Sequence, residues 1–134
     1  MRNRENARGF SAELVYASKG DLTAKEKVMI KDVSGAEKFD DVCKVDSIII
    51  DVDWYAILDI HNEAAVDRKD YRNILVVGKD GRRFITGSTS FMDKFEDIFE
   101  DLEAAGAINE MTIEVYTKDS AKRQGKYFIT CRLV

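Results

Sequence analysis

The sequence predicts a mostly β protein whose sheet curls into a small barrel and is capped by one amphipathic helix. Three observations predict it: a long run of alternating polarity at 48–60, an Asp80-Gly81 pair between apolar runs, and one apolar stripe of helical period at 91–102. The chain of 134 residues is most simply one domain, large enough to bury about two thirds of its unfolded surface.

The run at 48–60 is apolar at every second position. Most of the positions in between carry polar side chains, namely Asp51, Asp53, Tyr55 and Asp59. Such alternation is typical of a strand with one buried face, so it predicts Trp54 in the core and Tyr55 at the surface. Because the run exceeds the ~10 residues of an ordinary strand, we expect it to bend at a bulge and serve two parts of a curled sheet. Small closed barrels are built this way, and the oligonucleotide-binding (OB) fold is prominent among them.

Six further strands complete the predicted sheet. Alternating apolar residues predict a first strand at 10–18, and Lys27-Val28-Met29-Ile30-Lys31 predicts a second. A loop at 34–46 follows, and we expect its apolar side chains Phe39 and Val42 to plug the core. The Asp-Gly turn joins strands at 71–77 and 82–86. The last two strands, at 111–117 and 126–134, flank a polar loop.

The one predicted helix carries its apolar stripe on Phe91, Phe95, Ile98, Phe99 and Leu102. Ser90 with Asp93 predicts its capping box, and Gly106 its end. A helix before the final strand pair fits a five-stranded OB barrel, elaborated by an extra hairpin, in which the helix plugs the open end. The predicted organisation is a flexible basic arm at 1–9 and one OB-fold domain at 10–134.

Composition limits the function classes. No apolar stretch reaches the ~18 residues of a membrane span, and the first ten residues lack the apolar centre of a signal peptide, so we expect a cytoplasmic protein. Cys43 and Cys131 could pair, but reduced thiols are favoured there. The net charge of −4 still allows nucleic-acid binding, because a local basic groove matters more than the total.

The sequence gives little support to a catalytic function. His61 is the single histidine and has no matched serine or cysteine pattern. Asp51 and Asp53 share a strand parity and could hold a divalent cation, although a solvated strand face is the favoured interpretation. Gly78 and Gly81 fit a hairpin rather than a phosphate loop. We therefore expect no enzyme, cofactor or metal.

Several short runs follow one another in an order known from one family. They are Lys27-Val28-Met29-Ile30, Phe39, Ile48-Ile49-Ile50, Asp80-Gly81 with Phe84 and Ser88 after it, Met111-Thr112-Ile113-Glu114-Val115, a Ser120/Lys122/Gly125 loop, and Tyr127-Phe128-Ile129-Thr130-Cys131-Arg132-Leu133. On the order and spacing of this whole set, the chain resembles the small single-stranded-DNA-binding proteins of tailed phages that prime replication with a terminal protein.

The resemblance implies an OB barrel that coats and protects the displaced strand during replication without sequence preference. It also implies that the ring of Phe84 meets DNA, and Tyr55 is the nearest counterpart of a tyrosine in the long strand. A further family tyrosine, before the hairpin, has no counterpart here; His61 or Tyr71 stands in that region.

Single strands are held by bases stacked on aromatic rings and by cations along the phosphates. The predicted stacking residues are Tyr55, Tyr71, Phe84, Tyr127 and Phe128, with the parity of the last strand leaving open which of the final two is used. The predicted phosphate contacts are Lys27, Lys31, Arg72, Lys79, Arg82, Arg83, Lys122, Arg123 and Lys126. Each charge cluster has an alternative interpretation as a soluble turn.

A second hypothesis is a small phage or bacterial protein that binds and modulates a host protein. Its motivation is an acidic surface on the long strand and on the helix, and its members are Asp51, Asp53, Asp59, Asp93, Glu96, Asp97, Glu100 and Asp101. The expected partners are thus single-stranded DNA and replication proteins, with the host protein as the alternative. If the chain is phage-encoded, the expected location is the host cytoplasm.

Overall fold

The computed structural model describes residues 9–65, 69–120 and 125–134. All of the predicted basic arm except Gly9 lies outside these ranges, as do Lys122 and Arg123 of the predicted phosphate contacts. The strands within them are β1 Phe10–Ala17, β2 Glu37–Lys38, β3 Ile48–Asn62, β4 Asp70–Gly78, β5 Arg83–Thr86, β6 Thr112–Asp119 and β7 Tyr127–Leu133. The helices are α1 Ala24–Lys31, α2 Phe39–Val42 and α3 Thr89–Ala104, with single 3-10 turns at Val33–Gly35 and Ile108–Glu110.

The strands form one sheet in the order β2-β5-β4-β3-β6-β7, and β1 also pairs with β3. Neighbours are antiparallel, except that β2 runs parallel to β5. The sheet curls into a half-barrel around α3, so the prediction of a mostly β, barrel-like protein is confirmed at that level. Among the described residues, no helix has the length and apolar character that crossing a membrane would need.

Strand β3 is the long strand that the alternation predicts, and it pairs with three others. Residues 48–51 pair with β6, while the part after the bulge pairs with β4 and with β1. The bulge lies between Val52 and Trp54, where the register with β4 shifts. Before it the even-numbered Ile50 points into the barrel, and after it the odd-numbered Tyr55 does. The predicted bend is confirmed, and its consequence is an exchange of faces.

The inner core lies between the curled sheet and α3. Phe91, Phe95 and Phe99 are all buried, as the apolar stripe predicts. Phe39, on α2, is fully buried and stacks on Phe84 with ring centroids 5.0 Å apart. The inner core therefore combines aromatic side chains from the helices with mainly aliphatic side chains from the strands.

The start of α3 differs from its prediction by two residues. Ser88 is the N-cap, because its hydroxyl oxygen accepts the Phe91 amide at 3.2 Å. Ser90 lies in the first turn and donates to the Ile129 carbonyl of β7 at 3.2 Å. Gly106, with φ of 69°, follows the C-cap Ala105, so the predicted helix end is confirmed.

The predicted second strand is wrong, because residues 24–31 form helix α1. The helix begins with a capping box: the Thr23 hydroxyl accepts the Glu26 amide at 3.1 Å, and the Glu26 carboxylate accepts the Thr23 amide at 2.9 Å. Ile30 packs on the outer face of the sheet, in an outer core with Trp54 and Leu75. Trp54 is thus in the core as predicted, while β3 and β4 are covered on both faces.

Cys43 and Cys131 are free and buried, in agreement with the prediction of reduced thiols. Burial raises the pKa of the Cys43 thiol to about 11 and that of Cys131 to about 12. Neither thiol therefore carries the thiolate character that nucleophilic chemistry needs.

Replacing Ser88 by alanine removes the N-cap of α3, and we expect a loss of roughly 1 kcal/mol in the free energy of unfolding, measured by urea titration. Ser90→Ala is the matched control, because Ser90 also bonds to Ile129 but caps nothing. A loss in Ser90→Ala equal to or greater than that in Ser88→Ala would contradict this assignment of the cap.

Candidate nucleic-acid interface

Two predicted stacking residues are buried, which corrects their assignment. The side chain of Tyr55 is 3% exposed, packs edge-on against Phe95 and Phe99, and donates its hydroxyl to Glu96 at 3.3 Å. Burial raises the pKa of this phenol above its ordinary value. The cause is the β3 bulge, which turns Tyr55 into the barrel. Phe84 is 1% exposed because β5 points it at Phe39, so neither ring offers a face to a base.

Tyr71 is half-buried at the margin of the outer core, opposite Ile60 of β3. It shares no surface with the rings of β7, since it lies near the far end of the β3–β4 ladder. The structure therefore gives Tyr71 a packing role.

The predicted arginines are held by partners within the chain. Arg72 donates to Asp59 at 2.9 Å, Arg82 makes two bonds of 3.0 Å to Glu37, and Arg83 donates to the Met29 carbonyl at 2.7 Å. Exposed ion pairs of this kind exchange readily with water, so they weaken a phosphate contact rather than forbid it. A continuous cationic track along the hairpin is not what the structure shows.

The predicted lysines within the described ranges are exposed but scattered. Lys27 and Lys31 lie on α1 instead of a strand. Lys79 donates to the Asn109 carbonyl at 2.9 Å. Lys126 directly precedes β7 and is exposed.

One surface does bring rings and cations together, on the face of β6–β7 that points away from the barrel. Ile113, Val115, Ile129 and Cys131 are buried, so the residues between them face outward. The register pairs Lys118 with Phe128 and Tyr116 with Thr130. We call this surface the aromatic platform, and its members are Tyr116, Lys118, Phe128, Thr130 and Arg132.

Tyr127 and Phe128 lie on opposite faces of β7. Phe128 is half-buried on the platform, beside Tyr116 of the neighbouring strand. Tyr127 has the parity of the core residues but lies beyond the barrel end, where it is 51% exposed. Of the two rings, Phe128 is thus the one on the platform, while Tyr127 lies on the opposite face of β7.

The sequence interpretation missed Tyr116. Its signal is its parity with Glu114 and Lys118 on β6, but only the pairing with β7 shows that it adjoins Phe128. The guanidinium of Arg132 lies 5.4 Å from the centroid of the Tyr116 ring and donates to Glu114 at 2.7 Å. Hydrogen bonds from Ser47 and from Arg132 lower the pKa of Glu114, which therefore stays ionised and balances Arg132.

The polar end of β3 carries another charged group, centred on His61. Its Nδ1 lies 2.7 Å from Asp70 and its Nε2 2.6 Å from Glu63, while Lys69 also bonds to Glu63. The carboxylates approach opposite ring nitrogens and converge on no common point. Within the described ranges, no set of three or more His, Cys, Asp or Glu side chains is placed to hold a metal ion.

Hydrogen bonds to Asp70 and to Glu63 raise the pKa of His61 above its ordinary value of 6.5. The stability that these contacts contribute is therefore fully present below pH 6.5 and is lost as the pH rises through the folded-state pKa. An NMR titration of the single imidazole should show the raised pKa, and Asp70→Asn should lower it more than Glu63→Gln does. A native pKa at or below 6.5 would contradict this geometry.

Comparisons with protein-family models, with curated proteins and with solved structures find no match. The resemblance to phage single-stranded-DNA-binding proteins thus rests on the order of short runs in this chain alone. Function has to be inferred from the chemistry of the chain's own surface.

Proposed function

We propose that this protein is an OB-fold protein that binds single-stranded DNA without strong sequence preference and coats displaced strands during replication, as in the phage family that it resembles. The observation that carries the proposal is the aromatic platform, where two rings and two cations share one exposed sheet face.

The strand order supports the OB part of the proposal. Strands β3 to β7 are adjacent in the order β5-β4-β3-β6-β7, the first of them is long and bent, and α3 lies between the third and the fourth. This is the arrangement expected of a five-stranded barrel plugged by a helix. In this assignment the Asp-Gly hairpin belongs to the five strands, and the elaboration consists of β1, α1 and β2 instead of an extra hairpin.

Side-chain hydrogen bonds join the start of α3, which follows β5, to the edge strand β7. The Ile129 carbonyl of β7 accepts bonds from Ser88 and Ser90 at the start of α3, and β5 pairs with β2. A barrel left partly open in this way is compatible with the OB fold.

The position of α1 supports a site on β6–β7 and not on the hairpin. OB folds bind oligonucleotides on the face of their second and third strands and with the adjoining loops. Here those strands are β4 and β5, and Ile30 of α1 and Ala36 bury part of that face. The outer face of β6–β7 carries no such cover among the described residues, and its rings are held by the sheet.

The chemistry of the platform suits a binder of any base. Tyr116 and Phe128 can each stack one base, which contributes about 1–3 kcal/mol and does not depend on sequence. Lys118 and the adjoining Lys126 supply the positive charge that phosphates need, while Arg132 is paired with Glu114 and lies against the Tyr116 ring. A chain of net charge −4 would thus bind by a local surface, not by its overall field.

The host-protein hypothesis keeps one supporting observation, the acidic outer surface of α3. Asp93, Asp97, Glu100 and Asp101 are exposed there. The strand part of the surface is weaker, because Asp51 accepts a bond from Thr112 and Asp59 is paired with Arg72. A stoichiometric protein partner that is lost on reversing the charges of α3, with no DNA affinity, would favour this alternative.

Phe128→Ala should weaken binding of labelled (dT)12 by on the order of 1–3 kcal/mol, because a stacking surface is lost while a half-buried ring leaves the fold intact. Tyr127→Ala is the matched control, since this neighbouring ring lies on the other side of β7, and it should have a smaller effect. Fluorescence anisotropy measures the affinities, and urea titration confirms that both variants fold.

The same titration at two salt concentrations tests the cationic part of the proposal. Affinity should fall steeply from 50 mM to 500 mM salt, since each neutralised phosphate releases counterions. If Phe128→Ala binds DNA with the affinity of the wild type, or if the affinity does not change with salt concentration, the platform is not the binding site.

A further inference from the structure

A small cavity lies beneath α1, on the outer side of the sheet, where β3 leaves its bulge and β4 meets the hairpin turn. Its volume is about 210 Å³. We call it the Trp54 pocket, and the lining residues that matter are Trp54, Leu75, Ile30, Asp53, Lys79 and Arg83.

The size and walls of the pocket suit one flat ring. Pockets for drug-sized ligands span roughly 300–1,000 Å³, so this pocket takes a smaller group. Trp54, Leu75 and Ile30 form an apolar floor that is almost fully buried, and the exposed apolar part of the lining includes Met29 at the rim. A long or strongly hydrated ligand would gain little there, whereas a planar ring can lie over this floor against the side chain of Met29.

The rim carries charges of both signs: two cations that are hydrogen-bonded within the chain, and one exposed carboxylate. Lys79 and Arg83 each donate to a backbone carbonyl, to Asn109 and Met29 respectively, and keep further N–H donors. Asp53 is exposed and makes no ion pair or side-chain hydrogen bond with any described residue. Within the described ranges its carboxylate thus accepts no side-chain hydrogen bond, and it lies at the mouth of an apolar pocket.

The pocket and the aromatic platform belong to one outer surface. The Lys79 amide donates to the Asp51 carbonyl at 2.8 Å, and Asp51 pairs with Thr112 at the start of β6. Strand β6 then leads to Tyr116. A strand of nucleic acid that crosses from the platform over β3 would therefore reach the rim at Lys79.

We propose that the Trp54 pocket receives one base of a bound single strand and favours a base whose exocyclic amine faces Asp53, as in cytosine or adenine. The proposal rests on the proposed function, since the strand is delivered by the platform. The carboxylate accepts an N–H of the amine, which is the contact that Asp and Glu make with cytosine N4. Lys79 and Arg83 lie where the neighbouring phosphate would pass.

Thymine provides the discriminating comparison. It presents its O4 acceptor where cytosine presents the N4 amine, and an acceptor facing the Asp53 carboxylate is repelled. Stacking on the platform treats both bases alike. A preference for cytosine over thymine would thus come from the pocket and not from the platform.

The test compares (dC)12 with (dT)12 at one salt concentration and slightly alkaline pH, by anisotropy and by the emission of Trp54, the single tryptophan. We expect the wild type to bind (dC)12 roughly tenfold more tightly than (dT)12, with Trp54 quenched by (dC)12. Asp53→Ala should remove the preference by weakening (dC)12, while (dT)12, which loses a repulsive contact, binds as tightly as before or more tightly. Asp93→Ala, an exposed carboxylate of α3, is the control for the change in net charge.

The outcomes separate the two proposals. Equal affinities in the wild type, or a preference that survives Asp53→Ala, would overturn the pocket while leaving the platform intact. Binding of (dT)12 that depends on Phe128 supports the platform whatever the pocket does. Failure to bind either oligonucleotide would overturn both. Because Asp53 is exposed, its replacement leaves the core intact, which urea titration checks.

Discussion

The bulge in β3 is the constraint on which the rest of the structure depends. A strand of 15 residues cannot remain straight in a small domain, and the shift between Val52 and Trp54 bends it. The same shift exchanges its faces: Tyr55 enters the aromatic inner core under α3, while Trp54 enters the outer core under α1. Curvature, the contents of both cores and the location of exposed polar groups thus follow from one irregularity.

Short sequence patterns predicted the elements that local interactions determine. They gave wrong predictions where contacts between distant parts of the chain determine the structure. The alternation at 48–60, the Asp80-Gly81 turn and the stripe from Phe91 were sufficient for β3, the hairpin and α3. Residues 27–31 suggested a strand because Val28 and Ile30 are β-branched, but the capping box at Thr23 and Glu26 starts a helix that tertiary packing retains.

The candidate site shows the same division more sharply. Periodicity gives the parity of Tyr55 but not the position of the bulge that reverses it, so its exposure was mispredicted. Tyr116 and Phe128 become neighbours only through the pairing of β6 with β7, which no short run of sequence encodes. Helix α1 covers the hairpin face of the sheet. Among the described residues, the outer face of β6–β7 is therefore the sheet surface where rings and cations are accessible together. This accessibility is the physical basis of the proposed function.

The most direct test of this account is to map the contact surface by amide chemical-shift changes in ¹⁵N-labelled protein titrated with (dT)12. The account predicts that the largest changes fall on β6 and β7, at Tyr116, Lys118, Phe128 and Thr130, while the acidic surface of α3 stays unchanged. Changes concentrated on α3 or on the hairpin turn, or no changes at all, would contradict the claim that the outer face of β6–β7 binds single strands.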